Sequence, residues 1–241
     1  MISKTVYNKK PSFFFYIAIV GILAVLIGFA RTFILPVAAG SFKAPPIIHI
    51  HGAFAFSWIC LFMLQVLLIH TRNYKVHIRL GVLGLIIATG VSVTMVPAGI
   101  FAVDRDLQQG LGESAYSTII GVLTSGAIFL ALVIAGMLTR RRPQTHKRLM
   151  LLATIVVLWP AWFRFRHYFP SVPRPDIWFA LVLADSLIII AWIRDKARTG
   201  RIHPVLGWVG LGIIVEQTAE VIFFDHAVWR TVAKGLYYFL V

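Results

Sequence analysis

The sequence predicts an all-α, polytopic membrane protein whose chain crosses the bilayer seven times. Of its 241 residues, 59% are apolar and 13% are charged, whereas about 25% of the residues in an ordinary soluble domain carry a charge. The mean hydropathy of +0.84 points the same way. A soluble fold this apolar would lack the polar side chains that must cover its surface, so the composition requires lipid as the solvent.

Seven runs approach or exceed the length of about 20 apolar residues that a spanning helix needs. They cover residues 12–36, 47–70, 78–101, 116–138, 149–168, 177–193 and 204–224. Because only short segments connect them, residues 1–241 are predicted to form a single transmembrane helical-bundle domain. The first run exceeds the roughly 7–15 residues of a signal-peptide core, which favours a retained span. Residues 229–241 are too few to span and are predicted to lie at the membrane interface.

The distribution of charge predicts the orientation. The chain has 23 Lys and Arg against 9 Asp and Glu. With the N-terminus in the cytoplasm, 15 of the 23 basic residues fall in cytoplasmic segments, among them Lys4, Lys9 and Lys10. This asymmetry predicts a cytoplasmic N-terminus and an external C-terminus, and the helical pattern predicts a bacterial inner membrane. Because the basic residues sit in short loops between apolar runs, the expected partner is the lipid bilayer and not nucleic acid.

A motif recurs in the three predicted cytoplasmic hairpins: Arg, four residues, His, two residues, Leu. Its histidines are His77, His146 and His203. The recurrence predicts one helix followed by three related hairpins. One interpretation is that the arginines anchor each hairpin among the lipid head groups. The other is that the three histidines converge as ligands of one metal ion.

Polar side chains inside the predicted spans are costly, and each marks a possible functional site. His51, Trp58 and Gln65 are seven residues apart and share one face of the second span. Glu216 and Glu220 are four apart and share a face of the seventh span. The remaining residues of this kind are Arg31 in the first span, Arg164 and His167 in the fifth, and Asp185 in the sixth. We expect the set to meet in a polar pocket open to the outside.

Several interpretations of this pocket compete. In one, Arg31, Arg164 and Arg166 balance the acids in a buried ion-pair network that fixes helix packing. The favoured functional interpretation is a haem b, with His51 and His167 as axial ligands and with Arg31 and Arg164 binding the propionates. Such a protein would transfer electrons to or from a quinone or another redox protein.

Other functions remain open. Gln65, Asp185, Glu216 and Glu220 together suit a proton relay or proton-coupled transport. A metal-dependent membrane hydrolase and a non-catalytic assembly or scaffold protein are further alternatives. The usual catalytic motifs, such as His-Glu-x-x-His or Gly-x-Ser-x-Gly, are absent from the sequence.

Two resemblances accompany these motifs. The segments beginning at His77 and His146, read together with His51 and Gln65, resemble uncharacterised bacterial multi-pass membrane proteins with a His-Arg-x-x-Gly style hairpin motif. Helices with histidine at both ends are more distantly similar to the cytochrome b561 type of membrane redox protein, which implies haem. The 21 residues from His49 to His70 span about 31 Å, which is wide for two haems in rapid electron exchange.

Overall fold

The computed structural model describes residues 12–241, which contain helices and connecting turns and no strand. Lys4, Lys9 and Lys10, which contributed to the predicted orientation, lie outside the described residues. The α-helices of the described part are α1 Phe13–Phe29, α2 Leu35–Ala38, α3 Pro46–His70, α4 Tyr74–Gln108, α5 Thr118–Leu138, α6 Pro143–Phe163, α7 Ala184–Thr199, α8 Gly210–Phe223 and α9 Ala227–Leu240.

Seven helical segments of the described chain are long and apolar enough to cross a membrane, so the predicted number of spans is confirmed. They are Phe13–Ala38, Pro46–His70, Tyr74–Gln108, Gly112–Leu138, Pro143–His167, Asp176–Thr199 and Val205–Phe223. The third is the longest at 35 residues, because α4 continues without a break past Pro97 into a polar last turn. Each predicted span falls within one observed segment or overlaps most of it.

Three of the spans contain a π-helical segment, a feature that sequence periodicity did not indicate. These segments are Ala30–Ile34 in the first span, Asp176–Leu183 in the sixth and Val205–Val209 in the seventh. A π-helical turn carries an extra residue and therefore rotates the side chains beyond it. The spans affected include those of Arg31, Asp185 and Glu216.

The main apolar core is built around α6, the central helix of the bundle. Leu152, Ile155 and Leu158 of this helix are completely buried. Close approach of α1 to α6 depends on Gly28, because a Cβ atom there would overlap the backbone carbonyl of Ala161. Small residues at such crossings let membrane helices pack tightly where water supplies no hydrophobic force between them.

A second, smaller core lies at the opposite end of the bundle from the three hairpin motifs. Here α9 packs on the N-terminal end of α5, with Tyr116, Ala233 and Tyr237 buried between them. Trp229 Nε1 donates to the Ser117 carbonyl at 3.3 Å. The C-terminal segment is therefore an amphipathic helix docked on the bundle, and no spanning helix of the described chain includes it.

Candidate functional site

Three acidic side chains lie within the last two spans. Asp185 is the second residue of α7, and Glu216 and Glu220 stand one turn apart on α8. Glu216 is close enough to both Asp185 and Glu220 for their charges to interact. Asp185 is only 7% exposed. We call these three residues the acid triad.

The acid triad has no cationic partner among the residues that the structure describes. Five ion pairs occur within residues 12–241, and none includes Asp185, Glu216 or Glu220. The Oδ1 atom of Asp185 is buried and accepts no hydrogen bond from the described residues. The predicted ion-pair network of these acids with arginines is therefore wrong.

The arginines expected to balance the acids have other contacts. Arg31 donates to the His167 carbonyl at 2.8 Å and lies over the Tyr168 ring at 4.3 Å. Arg164 donates to Thr32 Oγ1 at 3.2 Å and to the Pro160 carbonyl at 2.8 Å. These contacts hold the ends of the first and fifth spans together. The guanidinium groups thus bond to the ends of these spans, and neither forms an ion pair with the acid triad.

The immediate surroundings of Glu220 combine tight packing with polar atoms that have no partner. A Cβ at Gly121 would overlap the Glu220 carboxylate, so this side chain lies directly against α5. Ser117, one helical turn before Gly121, has a completely buried hydroxyl with no hydrogen-bond partner in the described chain. The amide oxygen of Gln217, a residue 2% exposed, is likewise unsatisfied within residues 12–241. Unsatisfied buried polar atoms of this kind need water, a proton or a ligand.

A cavity of about 500 Å³ opens beside this region. Its walls are apolar and come from α5, α8, α9 and the turn between the last two: Ile120, Phe223, His226, Val228, Trp229 and Val232. Ile120 directly precedes Gly121, against which the Glu220 carboxylate packs, and Phe223 comes about one turn after Glu220. The cavity therefore lies about one helical turn beyond Glu220 along α8.

The polar face of α3 points inward, as the seven-residue spacing predicted. His51 Nδ1 lies 3.0 Å from Thr94 Oγ1. Because the Thr94 hydroxyl donates to the Gly90 carbonyl at 2.6 Å, it accepts from the imidazole, which leaves His51 Nε2 without a proton. Trp58 Nε1 donates to Thr154 Oγ1 at 3.3 Å. These contacts fasten α3 to α4 and α6.

The residues proposed for haem have different surroundings in the structure. His167 is exposed in a short 3₁₀ turn after α6, and the Arg164 guanidinium is covered by the Phe29 ring at 4.0 Å. Two cavities within residues 12–241, of about 500 and about 230 Å³, are lined by neither His51 nor His167. Haem binding by this pair of histidines therefore stays a prediction.

The three motif histidines do not converge. His77 and His146 lie together, with ring centres 6.3 Å apart, at the cytoplasmic ends of α4 and α6 as the predicted orientation has them. His203 lies elsewhere: its Nδ1 accepts from the Val205 N–H at 3.3 Å. No group of three or more His, Cys, Asp or Glu within residues 12–241 is arranged to hold a metal ion. A site formed by all three of His77, His146 and His203 therefore gains no support from the described residues and stays a prediction.

Sequence reasoning missed a buried ion pair that joins the second and third hairpins. Arg148 donates to Asp195 from Nε at 2.9 Å and from Nη2 at 2.5 Å, and the two side chains are 7% and 6% exposed. Asp195 also accepts from the His203 backbone N–H at 3.2 Å. The sequence feature that could have indicated this pair is Asp195, the single acid among the basic residues at the end of α7.

Comparison of the chain with protein-family models, with curated proteins and with solved structures finds no match. The resemblances drawn from the hairpin motifs therefore stay predictions. The geometry of the described residues is the remaining basis for a function.

Proposed function

We propose that the protein carries protons across the membrane through the acid triad, alone or coupled to a solute. The observation that supports this most strongly is the absence of any cationic partner for Asp185, Glu216 and Glu220 within residues 12–241. Ionised carboxylates in a membrane interior require a counter-charge. Where no side chain supplies it, a proton or a small cation must.

The spacing of the triad suits transfer in steps. Glu216 and Glu220 are one turn apart, which is about 6 Å along the helix axis. Glu216 also interacts with Asp185 on the neighbouring helix. In each step a carboxyl O–H gives its proton to the carboxylate oxygen of the next acid, directly or through one water. The donor becomes the carboxylate that receives the following proton.

The apolar cavity supports an external access route to this relay. In the proposed orientation, with the N-terminus in the cytoplasm, the cavity between α5, α8 and α9 opens on the outer side. Glu220 is the acid nearest to it, Glu216 comes next and Asp185 connects to α7. We therefore propose the order Glu220, Glu216, Asp185 for a proton that enters from outside.

The π-helical segments support movement of the same two spans. Asp176–Leu183 ends immediately before α7, and Val205–Val209 ends immediately before α8. Such segments occur frequently at functional sites, because the looser turn can change its hydrogen-bonding register at low cost. A register change here would rotate Asp185 or Glu216 relative to its neighbours, and transporters need a movement of this kind.

The test is proton uptake by liposomes that contain the purified protein and a pH-sensitive dye. A potassium gradient with valinomycin supplies the driving voltage. We expect the wild-type protein to acidify the lumen faster than empty liposomes, and Glu216→Gln to fall to the rate of empty liposomes. Asp225→Asn is the matched control, since its carboxylate lies at the end of the same span with 71% of the side chain exposed. Uptake by Glu216→Gln equal to that of the wild type would remove the triad from the pathway.

A membrane redox protein is the second candidate, and the environment of His51 favours it. The bond from Nδ1 to Thr94 leaves Nε2 free to coordinate a metal, and a ligand histidine is commonly oriented in this way. The visible spectrum of the purified protein tests the idea. A Soret band that disappears in His51→Ala would support haem at this position, and a preparation without that band would contradict it.

A further inference from the structure

We propose that Gln65, His77 and His146 bind one late first-row divalent metal ion, such as Zn²⁺, Cu²⁺ or Ni²⁺. The site lies among α3, α4 and α6, near the ends that carry the hairpin motifs. It is separate from the acid triad and does not depend on the proposed relay. It also differs from the three-histidine site expected from sequence, because His203 has no part in it.

The first step is that three helices bring these side chains to one place. Gln65 lies five residues before the end of α3, while His77 and His146 are each in the first turn of their helix. Gln65 Nε2 donates to the His77 carbonyl at 3.2 Å, which holds the amide beside the histidine turn. The two imidazole rings lie 6.3 Å apart between centres and are nearly perpendicular, at 88°.

The second step is that each side chain keeps a donor atom available for a metal. His146 Nδ1 lies 2.8 Å from the Gly136 carbonyl. Since a carbonyl only accepts, Nδ1 carries the proton and Nε2 keeps its lone pair. A carbonyl that fixes the tautomer and the ring orientation in this way is the usual support of a ligand histidine.

The other two side chains each have a buried atom that nothing satisfies. His77 Nδ1 and Gln65 Oε1 are both buried, and neither has a hydrogen-bond partner in the described part of the chain. Buried polar atoms without a partner are rare because they cost free energy. Here two of them occur on side chains that already touch each other's helices. A bound cation would satisfy both atoms.

The third step is distance. A metal ion lies about 2 Å from an imidazole nitrogen, so two rings bound to one ion have centres about 5 Å apart at a tetrahedral angle and about 6 Å apart when they are trans. The observed 6.3 Å agrees with the trans arrangement of a square-planar ion and is about 1 Å longer than the tetrahedral one. Two imidazoles and an amide oxygen suit Zn²⁺, Cu²⁺ or Ni²⁺, whereas Mg²⁺ and Ca²⁺ prefer ligand sets made of oxygen alone. The remaining coordination positions are left for water or another ligand.

The test measures metal content in protein purified without a histidine tag. After incubation with ZnCl₂ and removal of free metal, mass spectrometry should find one zinc per wild-type chain. We expect His77→Ala and His146→Ala to lose the metal, and Gln65→Leu to bind at least tenfold more weakly. His203→Ala is the matched control because it changes the same motif position in the third hairpin and should keep one zinc. Less than one zinc on the wild-type chain, or one zinc retained by His146→Ala, would overturn the proposal.

A second measurement needs no variant and so is independent of any folding defect. Electron paramagnetic resonance of the wild-type protein loaded with Cu²⁺ counts the coordinated imidazole nitrogens. Two nitrogens support the site, and any other number overturns it. The visible spectrum of the protein before loading separates a bare ion from haem iron between the same rings. A Soret band lost in both histidine variants would overturn the bare-ion site in favour of haem.

Discussion

Two aspartates on one helix show what distinguishes a structural charge from a functional one. Asp185 and Asp195 are both in α7, ten residues or about 15 Å apart, and they are 7% and 5% exposed. Asp195 accepts two bonds from Arg148 and one from the His203 backbone. Asp185 has a buried oxygen with no hydrogen-bond partner in the described chain, and the charge that interacts with it is that of another acid, Glu216.

Equal burial therefore has opposite consequences at the two positions. At Asp195 both carboxylate oxygens accept hydrogen bonds, two from the Arg148 guanidinium and one from a backbone N–H, and these bonds join two hairpins. At Asp185 no described side chain bonds the buried Oδ1 atom, and in the proposed relay a proton would supply the compensating charge. A buried acid without a counter-charge lowers the stability of the fold, and such a cost is typical of positions kept for function.

The largest expected effect comes from removing the cationic partner of Asp195, so that this aspartate becomes buried and unpaired like Asp185. Arg148→Met removes the guanidinium and leaves Asp195 buried and unpaired, and breaking a buried pair in this way costs about 3–5 kcal/mol. We expect that loss in the free energy of unfolding, measured by denaturant titration in detergent micelles. Arg198→Met is the control, because that arginine is exposed near the same end of α7.

The double variant Arg148→Met, Asp195→Leu distinguishes two contributions to the free energy of unfolding. One is the net contribution of the ion pair, and the other is the penalty of leaving the Asp195 charge buried without a partner. Replacing both partners by apolar side chains should restore most of the lost stability, since a buried pair contributes little net free energy relative to apolar packing. A loss below about 1 kcal/mol in Arg148→Met would show that water reaches Asp195 and that the contrast with Asp185 does not hold.

The converse change at Asp185 should have a smaller effect of opposite sign. Asp185→Leu removes a buried group whose hydrogen-bonding capacity is unmet, so the free energy of unfolding should rise by about 1 kcal/mol. Asp195→Leu, the matched change ten residues later, should lower it because Arg148 then loses its partner. Proton uptake by Asp185→Leu should fall while its stability is kept. A loss of several kcal/mol would mean that Asp185 has a structural partner.

The fold was predictable because a membrane span is a local property of the chain. Twenty apolar residues in sequence must form a helix in lipid, whatever the rest of the chain does, since every backbone polar group has to be satisfied within the segment. The positions of the spans could therefore be predicted from runs such as 47–70 alone. The inward face of α3 was predictable too, because α3 is a regular helix and residues seven apart stay aligned.

The contacts of the site were not predictable in the same way. Which acid meets which helix depends on rotation about each helix axis, and one extra residue in a turn rotates every later side chain by about 100°. The π-helical segments before α7 and α8 introduce such rotations, which a regular period of 3.6 residues does not contain. Glu216 and Glu220 were correctly placed on one face. That this face meets Gly121 of α5, and not arginines, depends on long-range packing.

The smallest expected effect concerns polar contacts at the exposed end of the bundle, where water replaces the contacts that are lost. The Tyr237 hydroxyl donates to Asp104, and this bond raises the pKa of Tyr237 to about 12. Lys234 bonds Glu113 at 2.5 Å, which raises the pKa of Lys234. Both pKa values are higher in the folded protein than in the unfolded chain. Where Glu113 is ionised, these contacts therefore stabilise the docked α9 fully up to about pH 10, and the contribution is lost as the pH rises towards 12. The carboxylate of Glu113, bonded to Lys234, is ionised at neutral pH.

The contribution of Trp229 to the fluorescence, taken as the difference between the wild-type protein and Trp229→Phe because the chain has seven tryptophans, reports on α9 during an alkaline titration. We expect a constant signal to about pH 10 and a change between pH 10 and 12. Tyr237→Phe should shift the signal slightly at neutral pH and weaken the alkaline change, because the hydroxyl that titrates is gone. A transition at neutral pH in the wild-type protein would instead indicate that a carboxyl group without a counter-charge, like those of the acid triad, takes part in the α9 contact. The difference between paired and unpaired buried charges would then extend to this end of the bundle.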